Sequence, residues 1–173
     1  MQAEHAFTMW LPPEGQSQPL VFDSPHSSCQ FPEHPALNAN PNQLKTGWDA
    51  FVEELWMPAV DMGASLIAAN FSRMYIDPNR AATDIDDALL AEPWPLNAQP
   101  TPYSERGMGL IRRFALPDIP MYNRSLSVAD IQSRIKNYYT PYHEKLAKRL
   151  QHLRKQFGSV WHIDCHSMKS KGK

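Results

Sequence analysis

The tightest constraint on this chain is a recurrence: three short apolar runs, each leading directly into residues that can do chemistry. Leu20-Val21-Phe22 runs into Asp23-Ser24-Pro25-His26, and Ser65-Leu66-Ile67-Ala68-Ala69 into Asn70-Phe71-Ser72-Arg73. A third run, Ser159 to Cys165, carries Asp164 and Cys165 and ends beside His166. Short apolar runs bounded by turn residues read as buried strands. Helical spacing fills the intervals. Phe51, Val52, Leu55, Trp56, Ala59 and Met62 fit a helix from Trp48 to Met62, closed by Gly63. Ile131, Ile135, Tyr138, Tyr142, Leu146, Leu150, Leu153 and Phe157 fit a long second helix, capped by Ser127 and ended by Gly158. Pro141 should kink it, because proline lacks the helical donor and crowds the preceding turn. A further strand is expected at Gly109 to Phe114, within a stretch from 81 to 121 that is otherwise loop. This alternation predicts an α/β fold with a mixed, largely parallel sheet, and such sheets bind ligands at the carboxyl ends of their strands.

Composition narrows the partners. Seventeen Lys and Arg against 18 Asp and Glu leave a net charge of -1, so nothing in the charge balance favours nucleic acid or an anionic membrane. The longest apolar runs fall well short of the roughly 20 residues of a membrane helix. No basic flank followed by an apolar stretch opens the chain, and a cytoplasmic protein is expected. The 173 residues suit a single domain, with residues 1–17 as a flexible extension and a basic tail at the other end. Two cysteines, Cys29 and Cys165, make no disulfide framework.

Several side chains then compete for chemical roles. His26, in a loop at a strand end, can offer a ring nitrogen to a metal if its other nitrogen is held, or it can be a plain loop histidine. A period of two puts His162, Asp164 and His166 on one strand face and Ile163 and Cys165 on the other. Asp164 can therefore orient His166, and Cys165 and His166 point apart, which argues against a Cys–His dyad. Cys165 reads as a small buried hydrophobe, and Cys29 as a loop thiol within reach of a metal near His26. Asp49 and Glu53 stand four apart on the expected helix and share a face, so either can supply a carboxylate. Zinc hydrolases use such His/His/carboxylate sets and leave a position for water. Arg73 and Arg80, with Asp77 to fix one of them and Asn79 between, suit an anionic substrate or an Asp-Pro turn with surface arginines. Tyr138, Tyr139 and Tyr142 read as core or pocket-edge aromatics, and His143 as part of an exposed helix face.

In order along the chain, these segments resemble the N-formylglutamate amidohydrolase family. The matching pieces are Phe22-Asp23-Ser24-Pro25-His26-Ser27, Asp49 upstream of Leu55, Met62-Gly63-Ala64-Ser65, and Phe71-Ser72-Arg73-Met74-Tyr75-Ile76-Asp77-Pro78-Asn79-Arg80. Thr140-Pro141-Tyr142-His143 and Ile163-Asp164-Cys165-His166-Ser167-Met168 complete the set. The resemblance implies a three-layer α/β/α sandwich like that of zinc carboxypeptidases. It also implies one Zn2+ ion and hydrolysis of N-formyl-L-glutamate to glutamate and formate, usually in histidine degradation. His26, Asp49 and His166 are then the expected metal ligands, Asp49 preceding Glu53 because the family motif has an acid ahead of the leucine. Arg73, Asn79 and Arg80 are expected to bind substrate carboxylates or polarise the scissile carbonyl, with Asp164 and Asp77 behind the ligands. Family members continue beyond the Asp-x-His-Ser strand, so the chain is expected to be the N-terminal portion of a larger domain with no matching general base. The alternative is a truncated, non-catalytic domain that binds zinc or an acidic metabolite.

Overall fold

The sheet is assembled from strands far apart in sequence. In the computed structural model, which describes residues 6–168, β1 (Phe7–Trp10), β2 (Leu20–Ser24), β3 (Ser65–Ala69) and a late strand at Trp161–Asp164 form one four-stranded sheet. A short hairpin of β4 (Phe114–Leu116) and β5 (Ile119–Pro120) stands apart, which makes the late strand β6. The order in the sheet is β1-β3-β2-β6. Strand β2 pairs in parallel with β3 and with β6, while β1 joins β3 antiparallel. The sheet is therefore mixed and largely parallel, as the alternation predicts.

Strand pleating splits the core in two. Val21 and Ile67 face a large cluster with Phe71, Met74, Tyr142, Leu146 and Leu153. Phe22 and Leu66 face a smaller one with Val52, Val60, Ala64 and Cys165. Both faces of β2 and β3 are thus covered, and this burial explains why their sequences are continuous apolar runs rather than alternating ones. The helix on the first face is α6 (Thr140–Phe157); the other face carries α2 (Val52–Trp56) and α3 (Pro58–Asp61), so the layers are α/β/α. The short α1 (Pro41–Leu44) and α4 (Pro102–Glu105) lie in connections.

Four expectations change. Phe7–Trp10, placed in the flexible extension, is an edge strand in register with Leu66–Ala69. The helix expected over Trp48 to Met62 breaks into α2 and α3. Phe51, just before α2, has a φ of 64°, a left-handed conformation through which a right-handed helix cannot pass, so Asp49 lies in a loop. Gly109 to Arg113 is irregular, and strand begins only at Phe114; Leu110 bonds instead to neighbouring loops, its N–H donating to Asp84 O and its carbonyl accepting from Asp77 N–H. Finally, the long helix begins as α5 (Val128–Arg134), with Ser127 accepting from Asp130 N–H, and becomes a π-helical segment over Ile135–Tyr139 just before Pro141. Proline withholds one helical hydrogen bond, and the wider turn absorbs that loss. The basic tail beyond Met168 lies outside the described residues, among which no helix is long and apolar enough to cross a membrane.

Candidate metal centre

The carboxyl ends of the parallel strands β2, β3 and β6 converge, and the chemical residues converge with them. His26 sits in the turn after β2, and His166 lies two residues past β6. Asp49 is drawn to the His26 turn from the loop before α2: its N–H donates to His26 O at 3.0 Å. Trp48 ties the same turn from above, its Nε1–H donating to Ser27 O at 2.6 Å.

One ligand atom from each of His26, Asp49 and His166 lies within 4.8 Å of the others. Asp49 Oδ2 is 2.9 Å from His166 Nδ1 and 3.5 Å from His26 Nδ1. Two ligands of one tetrahedral zinc, each about 2.0–2.1 Å from it, stand about 3.3 Å apart, a spacing that the two Asp49–histidine separations bracket. The far side of each imidazole is also held. His26 Nε2 lies 2.8 Å from Asp77 Oδ1, deep in the protein, and His166 Nε2 lies 3.0 Å from Asp164 Oδ1. A carboxylate on the outer nitrogen keeps the proton there and turns the other lone pair inward, as metal-ligating histidines require. The donor set fits a divalent metal that prefers nitrogen and oxygen ligands.

The electrostatics agree with this arrangement. Burial would raise the Asp49 pKa, but the hydrogen bonds with His26 and His166 outweigh it and hold the carboxyl below its usual value. Asp77 is fully buried; its burial is overcome by the His26 hydrogen bond and by the charges of His26 and Arg73, which keep it ionised well below the carboxylate range. Asp77 Oδ2 also accepts from Arg73 Nε at 3.1 Å and Nη2 at 2.6 Å. Asp77 therefore anchors His26 and Arg73 together.

That anchoring decides how the other candidates are used. Both fork nitrogens of Arg73 are spent on Asp77, and Nη1 reaches His26 Nδ1 at 3.0 Å, on the metal-facing side. Asn79 Nδ2 lies 3.0 Å from His166 Nε2. Arg80 donates from Nε to Met108 O and from Nη1 to Asn79 O, and its guanidinium lies 4.1 Å over the Tyr103 ring. Glu53 stays outside the cluster and accepts from Ser27 Oγ at 3.2 Å. Cys29 is free and half-buried and contributes no atom to the cluster. Cys165 is buried, and burial pushes its thiol up to about 11, which makes it a packing residue rather than a nucleophile.

Two neighbours of the site are given no role by the sequence pattern, although His143 lies in the Thr140-Pro141-Tyr142-His143 segment that matches the family. His143, expected on an exposed helix face, is half-buried; its Nε2–H donates to Pro78 O at 2.9 Å and its ring packs on Tyr139 at 4.2 Å. Burial lowers its pKa, which suits a neutral donor propping the Asp77–Arg80 loop. Arg112 lies in the segment expected as a strand and is not singled out there. Its backbone is two residues from Leu110, whose carbonyl holds Asp77 N–H, and its Nε is buried without a hydrogen bond among the described residues.

Comparison with known proteins bears on the whole constellation. A sequence model of the N-formylglutamate amidohydrolase family matches residues 18–173. The chain is 28% identical over 157 residues to the N-formylglutamate deformylase of Pseudomonas aeruginosa, covering 88% of this chain and 53% of that protein. It is 29% identical to the deformylase of Pseudomonas putida, covering 88% and 52%. The crystal structure of the N-formylglutamate amidohydrolase from Ralstonia eutropha JMP134 superposes with a TM-score of 0.91 at 43% identity, over 95% of this chain and 58% of that one. A protein from Agrobacterium tumefaciens, 18% identical with a TM-score of 0.67, shares the fold over 98% of this chain and 59% of its own. The chain thus spans about half the length of the curated relatives that it matches.

Proposed function

The chain belongs to the N-formylglutamate amidohydrolase family, and from that premise we propose that His26, Asp49 and His166 hold one zinc ion at which a small N-acylated acidic amino acid is hydrolysed. N-formyl-L-glutamate is the first candidate, since the relatives from Pseudomonas aeruginosa and Pseudomonas putida are N-formylglutamate deformylases. The observation that carries the reading is the paired arrangement of each histidine: Nδ1 turned toward Asp49, and Nε2 against a carboxylate. An ion pair alone would not need both ring nitrogens disciplined in this way.

Zinc held there supplies a water acidified toward neutrality and polarisation of the amide carbonyl. The chain's own residues do the rest. Asp77 keeps the proton on His26 Nε2 and holds Arg73 by two hydrogen bonds. Arg73 Nη1, on the metal-facing side of His26, is placed to donate to the carbonyl oxygen as negative charge develops on it. Asp164 fixes His166 from behind. Arg80, steadied by Tyr103, Met108 and the Asn79 carbonyl, presents its positive charge at the rim for a substrate carboxylate.

A second reading is a non-catalytic domain that binds zinc or an acidic metabolite, for which the three clustered ligands and the nearby arginines would suffice. Formate release from N-formyl-L-glutamate by the zinc-loaded chain separates the two. Turnover abolished by Asp49→Ala supports the hydrolase; stoichiometric zinc with no formate supports the binding domain.

A further inference from the structure

A dicarboxylic substrate needs two cationic receptors, and the geometry leaves Arg73 unsuited to be one of them. Its Nε and Nη2 are both committed to Asp77 Oδ2. Arg80 offers one receptor. A further cation close to these groups is Arg112, whose guanidinium feels the charges of Arg73, Asp77 and Arg80.

Arg112 lines a cavity of about 350 Å³ together with Thr46, Arg106, Met108, Phe114 and Leu116. One end of its lining runs along the chain toward Arg73. Thr46 precedes Gly47, whose backbone passes so close to Met74 and Arg73 that a Cβ there would lie 2.5 Å from Met74 Sδ and 3.3 Å from Arg73 Cγ. Another part of the lining is Met108, whose carbonyl holds Arg80 Nε. Four polar side-chain atoms in the described residues are buried without a hydrogen bond. Two of them, Asp86 Oδ2 and Arg113 Nε, face each other at 2.7 Å as an ion pair and so are satisfied electrostatically. Arg112 Nε has no such partner. A buried guanidinium donor left open costs free energy unless something accepts from it, and the natural acceptor for its planar fork is a carboxylate. Burial, assisted by Arg73 and Arg80 and opposed by Asp77, brings its pKa down to about 10, so it remains charged near neutrality.

We propose that Arg112 receives the side-chain carboxylate of the substrate, so that the site selects dicarboxylic amino acids over their neutral counterparts. The inference rests on the hydrolase reading for the identity of the ligand, but it is tested by binding. L-Glutamate, the amino acid product, and L-glutamine, its neutral near-isostere, are titrated into the zinc-loaded chain by calorimetry. The wild type is expected to prefer glutamate by about tenfold or more, the worth of a charge-assisted hydrogen-bonded pair. Arg112→Gln should bring the ratio to about 1 with glutamine affinity unchanged. Arg112→Lys, which keeps the charge and loses the fork, should retain part of the preference.

The Arg112 Nε–H resonance of the wild type, recorded by arginine side-chain NMR, should shift on adding glutamate and not on adding glutamine. Equal weakening of both ligands in Arg112→Gln, an unchanged ratio, or a resonance indifferent to glutamate each overturns the proposal. So does failure of the wild type to bind glutamate. Formate release judges the hydrolase reading separately: activity with an unmoved Arg112 resonance sinks only the receptor. A collapsed ratio without formate release sinks only the hydrolysis.

Discussion

Asp77 is the residue on which the site turns. It takes no place among the three metal-ligand candidates, yet its two oxygens hold His26 and Arg73 in one geometry. Asp77→Asn keeps the shape and removes the charge, so the His26 proton is no longer held on Nε2. Zinc affinity is expected to fall about 10- to 100-fold, the usual effect of losing an outer partner of a ligating histidine, and a competitive chelator titration reads it. Undiminished affinity would show that Asp77 serves packing alone. A second residue-scale test lies at the join of β2 and β6, where His162 Nε2 stands 3.4 Å from Asp23 Oδ2 and Tyr142 O–H donates to Asp23 Oδ1. The hydrogen bond to Asp23 raises the His162 pKa. A raised histidine stabilises the fold while protonated, fully below its unfolded value of about 6.5, and the contribution fades as pH climbs through the folded value. The stability gap between wild type and His162→Gln should therefore be larger at about pH 5.5 than at about pH 8, by less than about 1 kcal/mol because the imidazole is partly exposed. A gap that grows with pH in urea titrations would refute the assignment.

At the scale of elements, the buried strands and the long helix were legible because each follows one period. Leu20–Ser24 and Ser65–Ala69 are apolar runs covered on both faces, and Tyr142, Leu146 and Leu153 repeat at helical steps. Illegible were the places where a single residue overrides a period. Apolar spacing runs unbroken from Trp48 to Met62, and only the left-handed Phe51 stops the helix and frees Asp49 to reach His26. At Leu110 the backbone pairs with Asp77 and Asp84, in loops distant in sequence, which no local pattern reports. Arg134 is the hidden anchor of α5: fully buried, it donates to Asp130 Oδ2 at 2.7 Å, Tyr75 O at 3.0 Å and Tyr122 Oη at 2.7 Å. Arg134→Ala breaks a buried pair and is expected to cost about 3–5 kcal/mol of unfolding free energy. A loss below about 1 kcal/mol in denaturant unfolding would show that the network is a surface-like pair of little worth.

For the whole molecule, the sequence carried the site further than it carried the fold around it. The candidate ligands lie 23 and 117 residues apart, from His26 to Asp49 and from Asp49 to His166. Each nevertheless announces itself by following a strand or preceding a motif leucine. The parallel pairing of β2 with both β3 and β6 is what turns that linear recurrence into one cluster, because parallel strands bring their carboxyl ends to the same edge. Spacing left Asp49 and Glu53 equivalent, whereas in the folded chain Asp49 faces both histidines and Glu53 faces Ser27. The central claim is that this convergence is a zinc site, and metal analysis of the purified chain tests it most directly. One zinc per chain is expected for the wild type and for Glu53→Gln, with far less retained by His26→Ala, Asp49→Ala and His166→Ala. Zinc held undiminished by those three variants, or lost from Glu53→Gln instead, would contradict it.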